Sequence, residues 1–242
     1  MASKICAALS AVMLLLSGCK DQWGGGTIKF GISADCPPFG YYENGGLKGF
    51  DVDLARMVAK EMGKKAEFEN MGFNAALEAL DGDSIQAVIS TVTSTPERRK
   101  KYDLSRCYYV ENIATVYNDN EPYKTINSLS NNVNVACKRG TTTELWVKTH
   151  APDANLILMD KNSVMIEALK ADQIDCIVLD SEKAKSFCAS NSGLSCSIVD
   201  QTDEGYAIAF KKQSPIKDEA NAAISKLQKN GELEKLKTKW RL

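Results

Sequence analysis

Residues 90–99, "STVTSTPERR", place two hydroxyls one residue apart, a helix-start signal and an arginine pair within ten positions. Thr91 and Thr93 follow an apolar run, Thr95-Pro96 is an N-cap followed by proline at the first helical position, and Arg98 falls in the first helical turn. A guanidinium there offers a two-toothed grip on a carboxylate, and the helix start adds partial positive charge. The two threonines can offer hydroxyl and backbone groups to a neighbouring ammonium. The chemistry is recognition of a zwitterion, such as a free amino acid, and not bond breaking. The plainer reading is a strand ending in a capped helix with Arg98 in water.

Two further loops share this logic. "VACKRGTTTELW" runs from a strand through Lys138 and Gly140 to threonines that open a helix. Glycine lets backbone approach a ligand closely, and Thr141 and Thr142 can donate to an anion; an ordinary N-cap is the alternative. In "IDCIVLDS", Asp180 ends a buried strand. An unpaired carboxylate is costly there, so it is expected to face a cleft and meet a cation, with capping of the helix near Ser181 compatible. The single histidine, His150, late in a helical stretch, gives no support to a Ser-His-Asp triad. The cysteine spacings lack paired C-x-x-C units, so no metal site and no cofactor are expected.

The elements that must position these loops alternate strand and helix almost throughout, which predicts an α/β fold. Strands are expected at 27–32, 65–70, 85–90, 132–137, 155–159, 174–180 and 195–199. Helices are expected at 51–63, with Asp51 as its cap, and at 74–82, 141–150, 163–171, 181–190, 215–231 and 232–240. Asn44-Gly45-Gly46 marks a hairpin turn. The stretches 108–117 and 205–212 read as extended crossings between two blocks, giving lobe 1 as 27–112 plus 205–242 and lobe 2 as 113–204. Ligands of open parallel sheets bind at the carboxyl ends of strands, here the gap between lobes.

The 242-residue chain carries a formal charge of −1, so no nucleic-acid footprint is present. Residues 1–18 read as a signal peptide that ends in Leu16-Ser17-Gly18-Cys19. Leucine and two small residues before cysteine resemble a lipobox, which implies lipidation at Cys19 and a glycine tether through residue 26. Export into an oxidising compartment suits the remaining six cysteines. Cys188 and Cys196 flank a polar loop that a bridge can close, whereas Cys137 and Cys176 lie in apolar strands as buried thiols.

Taken in order, residues 31–65, "STVTSTPERRKKYDLSRCYY", "ACKRGTT", "ADQIDCIVLD" and "NGELEKLKTKW" resemble the periplasmic amino-acid-binding proteins of polar amino-acid ABC importers. The resemblance covers the chain from about residue 27 onward. It implies a type II periplasmic-binding-protein clamp of two lobes with two hinge crossings, monomeric and extracytoplasmic. Such a protein passes a free amino acid to permease subunits and is held at a membrane by its lipid. It implies that Arg98, helped by Thr93 and Thr142, grips the α-carboxylate. The backbone near Thr91, the Thr93 hydroxyl and Asp180 then hold the α-ammonium, and Phe73 walls the side chain. The departures bear on specificity: Ser33 stands where many members have an acid, Cys36 where many have an aromatic, and Gln86 where many have aspartate. Lys138 stands where glutamine-binding members also carry lysine. These point to a glutamine- or glutamate-like ligand, unless Asp35 or Glu182 turns inward; a thinner wall at Cys36 still leaves room for cystine. The alternative is an enzyme resembling cyclohexadienyl dehydratases, which needs an acid over the substrate. A signalling module with the same clamp would carry an output or spanning segment.

Overall fold

In the computed structural model the described residues are 26–121, 123–130 and 132–242; the leader, Cys19 and the tether up to residue 25 lie outside them. The chain opens with β1 (Thr27–Ile32), β2 (Asp35–Cys36), β3 (Gly40–Glu43), β4 (Gly46–Lys48), α1 (Phe50–Glu61), β5 (Lys65–Asn70) and α2 (Phe73–Asp81). Then come β6 (Ala87–Thr93), α3 (Pro96–Lys101), β7 (Asp103–Leu104) and β8 (Tyr109–Val110). A second block holds β9 (Ile113–Asn118), β10 (Asn134–Lys138), α4 (Thr142–His150), β11 (Asn155–Met159), α5 (Asn162–Lys170), β12 (Cys176–Asp180), α6 (Ser181–Ser190) and β13 (Leu194–Asp200). The chain ends with β14 (Gly205–Phe210), α7 (Lys217–Lys229) and α8 (Glu232–Trp240).

Among the described residues three sheets form: two large ones covered by helices, and a small antiparallel one of order β2-β3-β4. In the first, the order is β5-β1-β6-β14-β7, with β8 also on β14; β1 is parallel to β5 and β6, and β14 is antiparallel. In the second, the order is β11-β10-β12-β9-β13, again with three parallel strands and antiparallel partners. Helices on both faces explain why the central strands are apolar runs and not alternating ones: every residue of β6 and β12 is buried. Each sheet has its own core, Phe30, Leu54, Ile89 and Phe210 among the residues of the first and Ile177, Met165 and Leu169 among those of the second.

Four local expectations change. Of the crossing expected at 108–117, residues 109–110 and 113–117 are strands of the two sheets, and only 111–112 pass between them. Residues 205–210 are a buried strand of the first sheet, not a crossing; the return passage is 201–204. Asp51 does not cap α1, whose N-cap is Gly49; it is the second helical residue and wholly buried. Pro215 precedes α7, whose N-cap is Ile216. The Asn44-Gly45 turn joins β3 to β4 with both residues at positive φ, as a two-residue hairpin demands. The six cysteines of the described residues are free thiols; the hydrogen bond between Cys188 and Cys196 pushes the former thiol up and pulls the latter down.

The outward passage is Glu111 and Asn112. Glu111 accepts from Ser181 Oγ (3.0 Å) and from the Glu182 amide (2.8 Å), which ties the passage to the start of α6. Burial, with the Asp180 charge adding, pushes its carboxyl up to about 8. The folded state then holds this proton more tightly than the unfolded chain, so the stability it contributes is full below about 4.5 and is lost as pH rises through about 8. Asp51, pushed by burial to about 6, adds a loss with the same sign over a lower window. The urea midpoint is therefore expected to fall across this range, and Glu111→Gln to flatten the fall above pH ~6.

Candidate functional site

The three loops converge in the gap between the sheets. The first is bent inside β6 at Thr91, which has φ +50°, an uncommon conformation for a β-branched residue, where the pairing with β14 shifts register. That turn aims the Thr91 amide at Asp51 Oδ2 (2.8 Å), while Tyr108 Oη donates to Asp51 Oδ1 (2.8 Å). The strain is thus held by a buried carboxylate whose second oxygen is also occupied. Beyond it, Thr95 Oγ1 accepts the Arg98 amide (3.2 Å), so the threonine-proline start forms as its sequence dictates. The Arg98 guanidinium donates to the carbonyls of Thr93 (3.0 Å) and Gly140 (3.1 Å) and lies 5.3 Å over the Phe73 ring. Burial lowers its pKa, opposed by the charges of Asp180 and Glu204. Among the described residues, no carboxylate stands within ion-pair distance of it.

The second loop follows β10. Thr141 caps α4, accepting the Glu144 amide, and Thr142 is the first helical residue. Thr142 Oγ1 meets Thr93 Oγ1 across the gap at 3.3 Å. Gly140 has φ +78°, a conformation that favours glycine, and a Cβ there would push aside the Asn74 carboxamide of the first block. Lys138 Nζ donates to Ser33 Oγ (3.0 Å) and to Asp35 Oδ1 and Oδ2 (2.8 and 3.0 Å). Asn162 adds its amide to Asp35 Oδ2 (3.0 Å) and its carboxamide to Cys36 Sγ (3.1 Å). Burial works to raise the Asp35 pKa, but Lys138 and the other donors together hold it below the usual carboxylate value.

The third loop follows β12. Asp180 sits at the N-cap of α6 without accepting a cap bond. Its Oδ2 instead takes Lys183 Nζ at 2.6 Å, and the same ammonium donates to Thr91 Oγ1 at 2.8 Å. Burial works against the Lys183 charge, and the Asp180 carboxylate outweighs it, so its pKa is raised. The cation expected at Asp180 is therefore supplied by the chain. Glu182, by contrast, pairs outward with Lys185.

All eight sequence-marked residues, Ser33, Phe73, Thr91, Thr93, Arg98, Lys138, Thr142 and Asp180, lie in this gap. The bonds across it leave a cavity of about 20 Å³ among Thr91, Thr93, Arg98, Thr142, Asp180 and Lys183. That is room for about one water, so an organic ligand enters only if the lobes part. A wider cavity of about 300 Å³ adjoins it, sharing Thr93, Thr142 and Asp180 and reaching Trp146, Glu111 and Glu204. Sequence reasoning missed Lys183, Asn162 and the support given by Asp51. For Lys183 one signal was present: a lysine three residues after a strand-end acid at a helix start.

The model of the bacterial extracellular solute-binding proteins, family 3, matches residues 28–242. The chain is 34% identical to the arginine-binding extracellular protein ArtP of Bacillus subtilis (strain 168), over 87% of this chain and 84% of that one. It is 28% identical to the ABC transporter glutamine-binding protein GlnH of the same organism, over 88% and 80%. Among solved structures, an ancestral arginine-binding protein bound to glutamine superposes with a TM-score of 0.84 at 34% identity, covering 89% of this chain and 97% of that one. The ancestral amino-acid-binding protein AncCDT-1, a precursor of cyclohexadienyl dehydratase, gives 0.83 at 31%, covering 89% and 95%. With its two-lobed type II clamp and a family model that matches residues 28–242, the chain belongs to the bacterial extracellular solute-binding proteins, family 3, the amino-acid-binding proteins of ABC importers.

Proposed function

We propose that this chain is an extracytoplasmic, lipid-anchored receptor that captures a polar amino acid of the glutamine class and hands it to the permease subunits of an ABC importer. The observation that carries the reading is Arg98: half-buried, turned into the gap, and, among the described residues there, a cation with no carboxylate at ion-pair distance. Lys138 and Lys183 are each matched by an aspartate. A ligand carboxylate completes the set, with the Thr93 and Thr142 hydroxyls beside it. The anchor rests on the Leu-Ser-Gly-Cys19 motif.

The side-chain end supports a neutral polar ligand over a charged one. Asp35 turns inward and neutralises Lys138, which removes the reason to prefer glutamate. It also gives the pocket an acceptor beside the Lys138 and Ser33 donors, a combination that suits a carboxamide. Relatives named for arginine and for glutamine bracket this choice.

Similarity to a dehydratase precursor keeps an enzymatic reading in view, and Glu111, protonated up to about pH 8, is the acid it would call on. Its oxygens are engaged with Ser181 and Glu182, which argues against a role as proton donor. Incubation with prephenate or arogenate is expected to give no product, and turnover would favour the enzyme.

A thermal-shift panel over the amino acids is expected to give its largest rise with glutamine. Arg98→Ala is expected to weaken that ligand by two orders of magnitude or more in calorimetry, about the loss of two charge-assisted bonds at roughly 1.5–3 kcal/mol each, with the protein still folded. Asp35→Asn exposes the Lys138 charge and is expected to shift preference from glutamine toward glutamate by about tenfold, roughly 1.4 kcal/mol.

A further inference from the structure

Asp180 and Thr91 are the groups that the family resemblance assigns to a ligand ammonium, and in the closed clamp an ammonium is already there. It belongs to Lys183, at 2.6 Å from Asp180 Oδ2 and 2.8 Å from Thr91 Oγ1. Lys183 and Asp180 are buried, at 8% and 9% exposure. The Lys183 ammonium also lies 5.4 Å from the Tyr206 ring centroid. We propose that Lys183 is a specificity-determining residue, a tethered occupant of the amino subsite that an incoming α-ammonium must displace. The proposal rests on the amino-acid reading given above.

The physics is competition between two cations for one carboxylate. Lys183 is three residues from Asp180 on the first turn of α6, so its local concentration at that carboxylate is set by the tether and not by the solution. Both ammoniums cannot stay beside Asp180 in a dry site without leaving one positive charge unmatched. Lysine has a flexible four-carbon stem, which lets it withdraw. A polar space stands ready for it: the wider cavity, which Asp180 lines together with Glu111 and Glu204. Displacement therefore exchanges the Asp180–Lys183 pair for an Asp180–ligand pair and sends the Lys183 ammonium toward the wider cavity, where Glu111 can balance it only by releasing its proton.

Two consequences follow for the ligand. Affinity gained through the α-amino group is reduced by the loss of the internal pair, whereas affinity gained through the carboxylate at Arg98 is untouched. A molecule with the same carboxylate and side chain but no amino group leaves Lys183 in place and meets no competitor. Lys183 thus narrows the advantage of an amino acid over its des-amino analogue.

The test is calorimetry of the full mature protein with L-glutamine, L-glutamate, L-arginine and L-cystine, and with glutaramate and 5-guanidinopentanoate as the des-amino analogues of glutamine and arginine. Lys183→Met keeps the stem and removes the charge; Lys183→Gln keeps a donor toward Asp180 and serves should the methionine variant not fold. Expected is an amino-acid affinity about tenfold tighter in the variant, with the des-amino analogue within about twofold of wild type. Binding of an amino acid by the variant where wild type shows none supports the proposal equally. An amino-acid affinity that is unchanged or weaker in the folded variant overturns it while leaving the amino-acid reading intact. Absence of amino-acid binding by wild type and variants alike overturns the amino-acid reading, and this proposal with it.

Discussion

Closing two lobes over charged side chains works only if each charge finds a partner, and that constraint organises the gap. Ionised groups moved from water into a protein interior cost several kcal/mol apiece unless geometry and hydrogen bonds compensate. Here two lysines and two aspartates satisfy each other across short distances: Lys138 with Asp35 between the lobes, and Lys183 with Asp180 within one lobe while reaching Thr91 on the other. Arg98 is left to backbone carbonyls. Among the described residues of the gap, Arg98 is thus the cation without a carboxylate at ion-pair distance. That asymmetry lets a carboxylate be recognised without any group having to change protonation.

The backbone is arranged to deliver these charges. Three strands, β6, β10 and β12, run into the gap at their carboxyl ends, and each passes directly into a helix that starts there. Helix starts bring unsatisfied amides and partial positive charge to one place, which favours anions. The arrangement requires sharp departures from the strands. Thr91 bends β6 two residues before its end, at positive φ and held by Asp51, and Gly140 turns the chain out of β10, also at positive φ. Asp51 is thus better understood as a buried strut under Thr91 than as a helix cap. Its high pKa follows from burial, its position from two donors.

Much of this was legible in the sequence, and the boundary of legibility has a physical cause. Covered parallel strands appear as apolar runs, edge strands such as β5 as alternation, and helix starts have local chemistry, so β5, β10 to β12, the threonine-proline cap and the Asn44-Gly45 hairpin could be read directly. The strand at 205–210 was misassigned because its apolar run has no local sign of its partners; its place beside β6 is set by contacts more than a hundred residues away in the chain. Arg98 was visible because its anchor is a local cap. Lys183 was not, because a long flexible side chain on a helix looks the same whether it faces water or a buried carboxylate. Asp35 was recognised only as a condition, since a two-residue strand leaves its direction open.

The same pairing bears on how such a clamp moves. A ligand shifts an open–closed equilibrium only by its difference in affinity for the two states, and a closed state already held by internal bonds changes what that difference must supply. The hydrogen bonds of Lys138 and Asn162 with residues 33–36, of Lys183 with Thr91, and of Thr93 with Thr142 all join the lobes without a ligand. All are polar, and each exchanges hydration for a protein partner, so their net contribution is small compared with apolar burial. The lobes can separate without exposing either core, because the apolar residues of each sheet are enclosed by that sheet's own helices. A joint that is polar, charge-matched and free of shared core can open at modest cost. Arg98, unmatched by any carboxylate among the described residues of the gap, donates to carbonyls on both sides of it, so a carboxylate bound there adds its charge where the two lobes already meet.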